Sequence, residues 1–161
     1  MTEPFLQISE ELERLAKIAV NAAYQVHSAL GPGLLESVYE VCMMHEFAKA
    51  SVRAERQLEC PVQYDGLSLD AALRLDILVD SKLILELKAV EQLAPVHKAQ
   101  MITYLKLTNR RLGLLINFNV PVIKDGIMKA GNVDSPVEPL ATPHHPSEFP
   151  TFNCRLRGRI G

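Results

Sequence analysis

The stretch RLDILVDSKLILELKAVE, residues 74 to 91, sets Asp76, Glu86 and Lys88 inside two short apolar runs. An unpaired charge buried in such a run is costly or is forced to neutralise, so these side chains need partners. DSK at 80 to 82 reads as a tight turn between two strands, which lets Asp76 and Glu86 converge across the hairpin. Glu86 and Lys88 are two residues apart and share a sheet face. Two hard oxygen ligands beside an ammonium suit a Mg²⁺ ion held over a scissile phosphate. In that reading the metal activates water and offsets charge in the transition state, and Lys88 orients or deprotonates the water or holds a phosphate oxygen. The competing reading is a structural Asp–Lys–Glu cluster at a strand end, because ion-pair networks also place charge in sheets.

The elements that must position these groups follow from periodicity. Leu12, Leu15, Ala19, Ala22, Ala23, Val26 and Leu30 recur at three- and four-residue steps and predict a helix over 9 to 30, with Ser9 as its cap. GPG at 31 to 33 stops it, and a second helix is expected from 34 to about 50. The period then falls to two: VRAERQLECPV at 52 to 62 alternates as a half-exposed strand. The Asp65-Gly66 turn returns the chain along a strand at about 67 to 79. After LILELKAV, a helix fits 95 to 107 with Pro95 in its first turn, and LGLLINF at 112 to 118 reads as a strand buried on both faces. Strand, helix and strand form a crossover, so the last strand should run parallel to the one carrying Glu86. The expected class is α/β, in the order α-α-β-β-β-α-β, with a mixed four-stranded sheet flanked by helices.

Two helices offer further polar groups. Glu36 and Tyr39 follow the GPG stop, and Glu40 lies one turn beyond Glu36. For the glutamates the plain alternative is a solvated helical face, and for Tyr39 it is ordinary packing with the hydroxyl at the surface. His97, Gln100 and Tyr104 form one stripe at i, i+3 and i+7 on a helix that should face the sheet. They could hold the lysine, a water or a phosphate; otherwise Gln100 and Tyr104 satisfy buried backbone groups and His97 serves the helix start.

Taken together, these pieces resemble a known family. GLLESVYE at 33 to 40 matches the Gly-x-x-Glu-x-x-Tyr signature of the GxxExxY proteins at Gly33, Glu36 and Tyr39. Residues 75 to 119 resemble the rest of that core, and the likeness spans roughly 10 to 130. The GxxExxY proteins are similar to the PD-(D/E)xK nuclease superfamily, which implies a restriction-endonuclease-like αβββαβ core, here with one extra N-terminal helix. The resemblance places Asp76 at the first carboxylate and Glu86-Leu87-Lys88 at the E-x-K. Gln100 and Tyr104 resemble the Q-x-x-x-Y of RecB-like members, and Glu36 fits the helical carboxylate many members add to the metal site. Leu75 stands where the superfamily name has proline.

Bulk properties set the surroundings. A length of 161 residues suits one domain, expected over 1 to 130, followed by an extended or disordered Pro-rich tail over 131 to 161. The net charge of −2 gives no general nucleic-acid footprint, so a polyanion must be met by a local patch or by bound cations. Three widely spaced cysteines without a CxxC, a start without a secretory pattern and the lack of a spanning apolar run make a cytoplasmic location the expectation. His144, His145 and Cys154 match no standard zinc spacing. The expected function is a Mg²⁺- or Mn²⁺-dependent nuclease, with DNA the favoured substrate. Asp76, Glu86, Glu36 and the Leu87 carbonyl would ligate the metal, Lys88 would serve the water, and Gln100 and Tyr104 would position phosphate or the lysine. Cutting duplex DNA would suit a homodimer. The alternative is an inactive nuclease fold acting as a binding or scaffold subunit.

Overall fold

The computed structural model describes residues 7–132 and 155–156. Helix α1 (Glu10–Leu30) starts where Ser9 accepts a hydrogen bond from the Leu12 N–H at 3.1 Å, and its three first-turn glutamates complement the helix dipole. Helix α2 spans Glu36–Lys49, two residues later than expected, because 31 to 34 form the connecting bend. Strands β1 (Ala54–Tyr64) and β2 (Leu67–Val79) form a long hairpin around Asp65 and Gly66. Both turn residues have positive φ, 45° and 78°, as a twisted two-residue hairpin requires. Strand β3 (Leu83–Lys88), helix α3 (Pro95–Leu107) and strand β4 (Leu112–Asn117) make the crossover, and β3 and β4 are parallel.

Among the described residues the sheet has six strands in the order β5-β4-β3-β2-β1-β6, where four were expected. Strand β5 (Ile127–Gly131) pairs antiparallel with β4 after a short 3₁₀ turn at Ile123–Gly126, and β6 is the dipeptide Arg155–Leu156 beside β1. IMKAG carries little strand propensity of its own; its place is set by pairing with β4. Gly131 ends β5, and the Asn132 N–H donates to the Arg111 carbonyl at 2.8 Å. Most of the expected tail, 133 to 154 and 157 to 161, lies outside the described residues.

Three layers result. On one face Leu83, Leu85 and Leu87 of β3 and Leu112, Leu114 and Ile116 of β4 pack against the apolar stripes of α1 and α2. On the other, Ile84 and Leu78 pack against Met101 and Leu105 of α3. Strand β4 is buried along its whole length, as a strand covered on both faces must be. Its Gly113 leaves room for the Met101 side chain, so α3 can lie close to the sheet.

One irregularity positions the site. The β2–β3 ladder covers only Ile77↔Leu85, Leu78↔Ile84 and Val79↔Leu83. Beyond it β2 stays with β1, while β3 stays with β4 as far as Lys88↔Asn117. The sheet forks there. Opposite the fork, the β1 register passes from Arg56↔Ile77 to Leu58↔Leu75 over Gln57, whose φ is +54°.

Candidate active site

Asp76 and Glu86 are the first residues past the last β2–β3 pair, so the fork opens between them. Backbone N–H groups at the fork no longer have a β2–β3 ladder partner and must find others. The carboxylates supply them: the Leu87 N–H donates to Asp76 Oδ2 at 2.9 Å, and the Asp76 N–H to Glu86 Oε1 at 3.3 Å. Each acidic side chain thus reaches across to the other strand. The expected convergence of Asp76 and Glu86 is present.

Glu86 is buried, and flanking Leu85 and Leu87 face α1 and α2, so alternation turns it to the α3 side. Burial, together with the negative charge of Asp76, pushes its pKa from 4.5 up to about 8. The Lys88 ammonium draws it partly back down, as expected for a cation on the same face. On α3, Gln100 Nε2 donates to the Tyr104 hydroxyl at 2.9 Å. Burial and the nearby charge of Glu86 raise the Tyr104 pKa, so the phenol stays a proton donor through the neutral range. The Gln100–Tyr104 pair therefore stands beside the carboxylates, as its spacing implied. His97 does serve the helix start, since its Nδ1 accepts from the Ala94 N–H at 3.0 Å.

Helix α2 contributes from the opposite side of the sheet. Glu36 is exposed, and its Oε1 accepts from the Ala89 N–H at 3.3 Å, next to Lys88. Tyr39 packs in the core, and its hydroxyl, expected at the surface, is instead buried and bonded to Gly31 and Leu34. Glu40 departs from the solvated helical face. It is buried, accepts from Gln57 Nε2 at 2.6 Å and lies 3.6 Å from Arg56. Burial raises its pKa, the Gln57 hydrogen bond opposes the rise, and the charge of Asp76 adds to it.

Asn117 is the positioning residue that sequence reasoning passed over. It lies level with Lys88 in the parallel register and is buried. Its amide clamps Val90 from both sides: Nδ2 donates to the Val90 carbonyl at 2.9 Å, and Oδ1 accepts from the Val90 N–H at 3.1 Å. The available signal was one polar residue between Ile116 and Phe118 in an otherwise apolar run.

The donor set fits a hard divalent cation. Burial first, and the charge of Asp76 beside it, force the Glu86 carboxyl upward in pKa, and a cation between the two carboxylates would offset both effects. Among the described residues, no group of three or more His, Cys, Asp or Glu side chains forms a ready-made cage. Asp76 and Glu86 are the pair brought together, and Glu36 bonds to Ala89, the residue just past the end of β3.

An α/β fold with a mixed, forked sheet and a D…E-x-K constellation defines a class of nuclease-like proteins. Comparison with protein families matches residues 13–130 to the PD-(D/E)XK nuclease superfamily, and the chain belongs to it. No curated protein and no solved structure matches.

Proposed function

We propose that the protein is a divalent-metal-dependent nuclease that hydrolyses phosphodiester bonds in DNA. The observation that carries this is the sheet fork, where Asp76 and Glu86 converge with Lys88 beside them and the Gln100–Tyr104 pair across from them. Asp76, Glu86, the Leu87 carbonyl and Glu36 would hold Mg²⁺ or Mn²⁺. That ion supplies Lewis-acid activation of water and charge neutralisation at the phosphate. Lys88 contributes a positive charge at the same face, which orients the attacking water against the phosphorus and holds a non-bridging oxygen. Tyr104, protonated and oriented by Gln100, donates a hydrogen bond to the phosphate. The water oxygen bonds to phosphorus as the bond to the leaving sugar oxygen breaks. The GxxExxY signature at Gly33, Glu36 and Tyr39 supports placing α2 within this assembly.

Lys88→Ala is the direct test. It should abolish metal-dependent cleavage of DNA while leaving the fold and Mn²⁺ binding intact. Cleavage at the wild-type rate in that variant would remove Lys88 from the mechanism.

One observation favours a second reading. Both carboxylates already complete backbone hydrogen bonds at the fork, as they would in an inactive nuclease fold serving as a scaffold. On that reading, wild type binds no Mn²⁺ and cuts neither single-stranded, duplex nor branched DNA or RNA. Calorimetric titration of wild type beside the Asp76→Ala/Glu86→Ala double variant separates the two.

A further inference from the structure

Helix α2 begins without the usual support. Its cap position is Leu35, which offers no side-chain hydrogen bond to the free N–H groups of the first turn. The preceding loop bends through Gly31 and Gly33, at φ +70° and +95°, two positions that carry no side chain to hold the bend. Yet Glu36 occupies the first position of this helix, where its carboxylate must reach the Lys88–Ala89 segment.

Tyr39 supplies the missing restraint. It lies one turn beyond Glu36, on the same side of the helix. Its hydroxyl donates to the Gly31 carbonyl at 2.7 Å and accepts from the Leu34 N–H at 3.1 Å, bracketing the loop. Its ring stacks on Phe118, with centroids 4.4 Å apart and planes inclined by 8°. The Phe118 N–H in turn donates to the Lys88 carbonyl at 2.9 Å. One buried side chain therefore ties the entry of α2 to the end of the strand that carries Glu86 and Lys88.

We infer that Tyr39 is a positioning residue that sets Glu36 against the E-x-K strand through its two hydroxyl hydrogen bonds and its stack on Phe118. It acts through Glu36 and touches neither the metal nor the substrate. The inference rests on the proposed function, in which Glu36 serves the cation.

The test is calorimetric titration of Mn²⁺ at 10 °C into the full chain, as wild type, Tyr39→Phe, Glu36→Gln, the double variant and Phe47→Leu. Tyr39→Phe keeps the ring stack and removes only the hydroxyl. Loss of a group that orients a metal ligand typically weakens metal binding about 10-fold or more. Tyr39→Phe should weaken Mn²⁺ by about that factor, and the double variant should bind no more weakly than Glu36→Gln alone. Phe47, equally buried at the far end of α2, should give wild-type affinity when changed to Leu. Wild-type affinity in Tyr39→Phe, losses that multiply in the double variant, or an equal loss in Phe47→Leu would each overturn the inference while leaving the metal site standing. Failure of Tyr39→Phe to fold at 10 °C would make the hydroxyl a folding determinant and overturn it too. If wild type itself binds no Mn²⁺, the metal site falls first and the inference falls with it.

Discussion

Glu86 faces two demands that pull against each other. Its position between Leu85 and Leu87 buries it, and burial beside Asp76 holds the proton on until about pH 8. The free chain, by contrast, ionises this group near 4.5. Between those values the folded protein binds more protons than the unfolded one, so this group's contribution to stability falls as pH rises. It is fully present below about 4.5 and lost once the pH passes about 8. Each pH unit within the window is worth at most about 1.4 kcal/mol. Glu86→Gln should therefore gain stability relative to wild type as metal-free samples are taken from pH 5 to pH 8; urea melts across that range check it. A parallel dependence in the two proteins would assign the titration elsewhere. Metal binding needs the ionised carboxylate, so Mn²⁺ affinity should rise over the same interval, with proton release seen in buffers of different ionisation enthalpy.

At the scale of elements, the segment after Lys88 is held from outside itself. Asn117 on β4 grips Val90 through both amide atoms and also accepts from the Asn119 N–H at 3.2 Å. Asn117→Leu keeps the volume and strands those backbone groups, at a cost of about 1–3 kcal/mol each where water cannot replace the bond. The expected result is a lower denaturation midpoint and faster hydrogen exchange at Val90 and Asn119. Unchanged exchange there would mean the clamp is redundant. This clamp was hard to read from the sequence because its partner is 27 residues away, and no local period connects the two. Much else was legible for the opposite reason. The α1 stripe, the Asp65-Gly66 turn and the alternation through β3 are local patterns whose buried faces the fold then uses. Strand β5 was missed because IMKAG acquires its pairing from β4 rather than from its own residues. The Tyr39 hydroxyl reads as a surface group because a helical period of α2 does not reveal that Gly31 and Leu34 fold back over it.

Over the whole molecule, charge is close to balanced, at −2. With no overall basic excess the chain gains little from general counterion release, so on the proposed function its hold on DNA would be concentrated at the site. Cation removal should then have a large effect. Fluorescence anisotropy of the non-cleaving Lys88→Ala variant with duplex DNA at physiological salt should show tighter binding with Mn²⁺ than in EDTA. Equal binding in both would point to a basic surface away from the fork. The same domain should unfold as one unit, because α1 packs on both α2 and the β3–β4 centre of the sheet. Leu15→Ala, at a fully buried α1 position, should cost about 2–5 kcal/mol and lower the single transition without splitting it. Among the described residues no helix is long and apolar enough to cross a membrane.

The parting of β2 from β3 gives the site an internal rival. Where the ladder stops, the protein satisfies its own amides with the oxygens that an incoming cation would need. Each carboxylate gives one oxygen to a backbone N–H and keeps its second oxygen outside those two bonds. The site is therefore half engaged with its own backbone, and a ligand that needs Asp76 Oδ2 or Glu86 Oε1 must share or displace an amide.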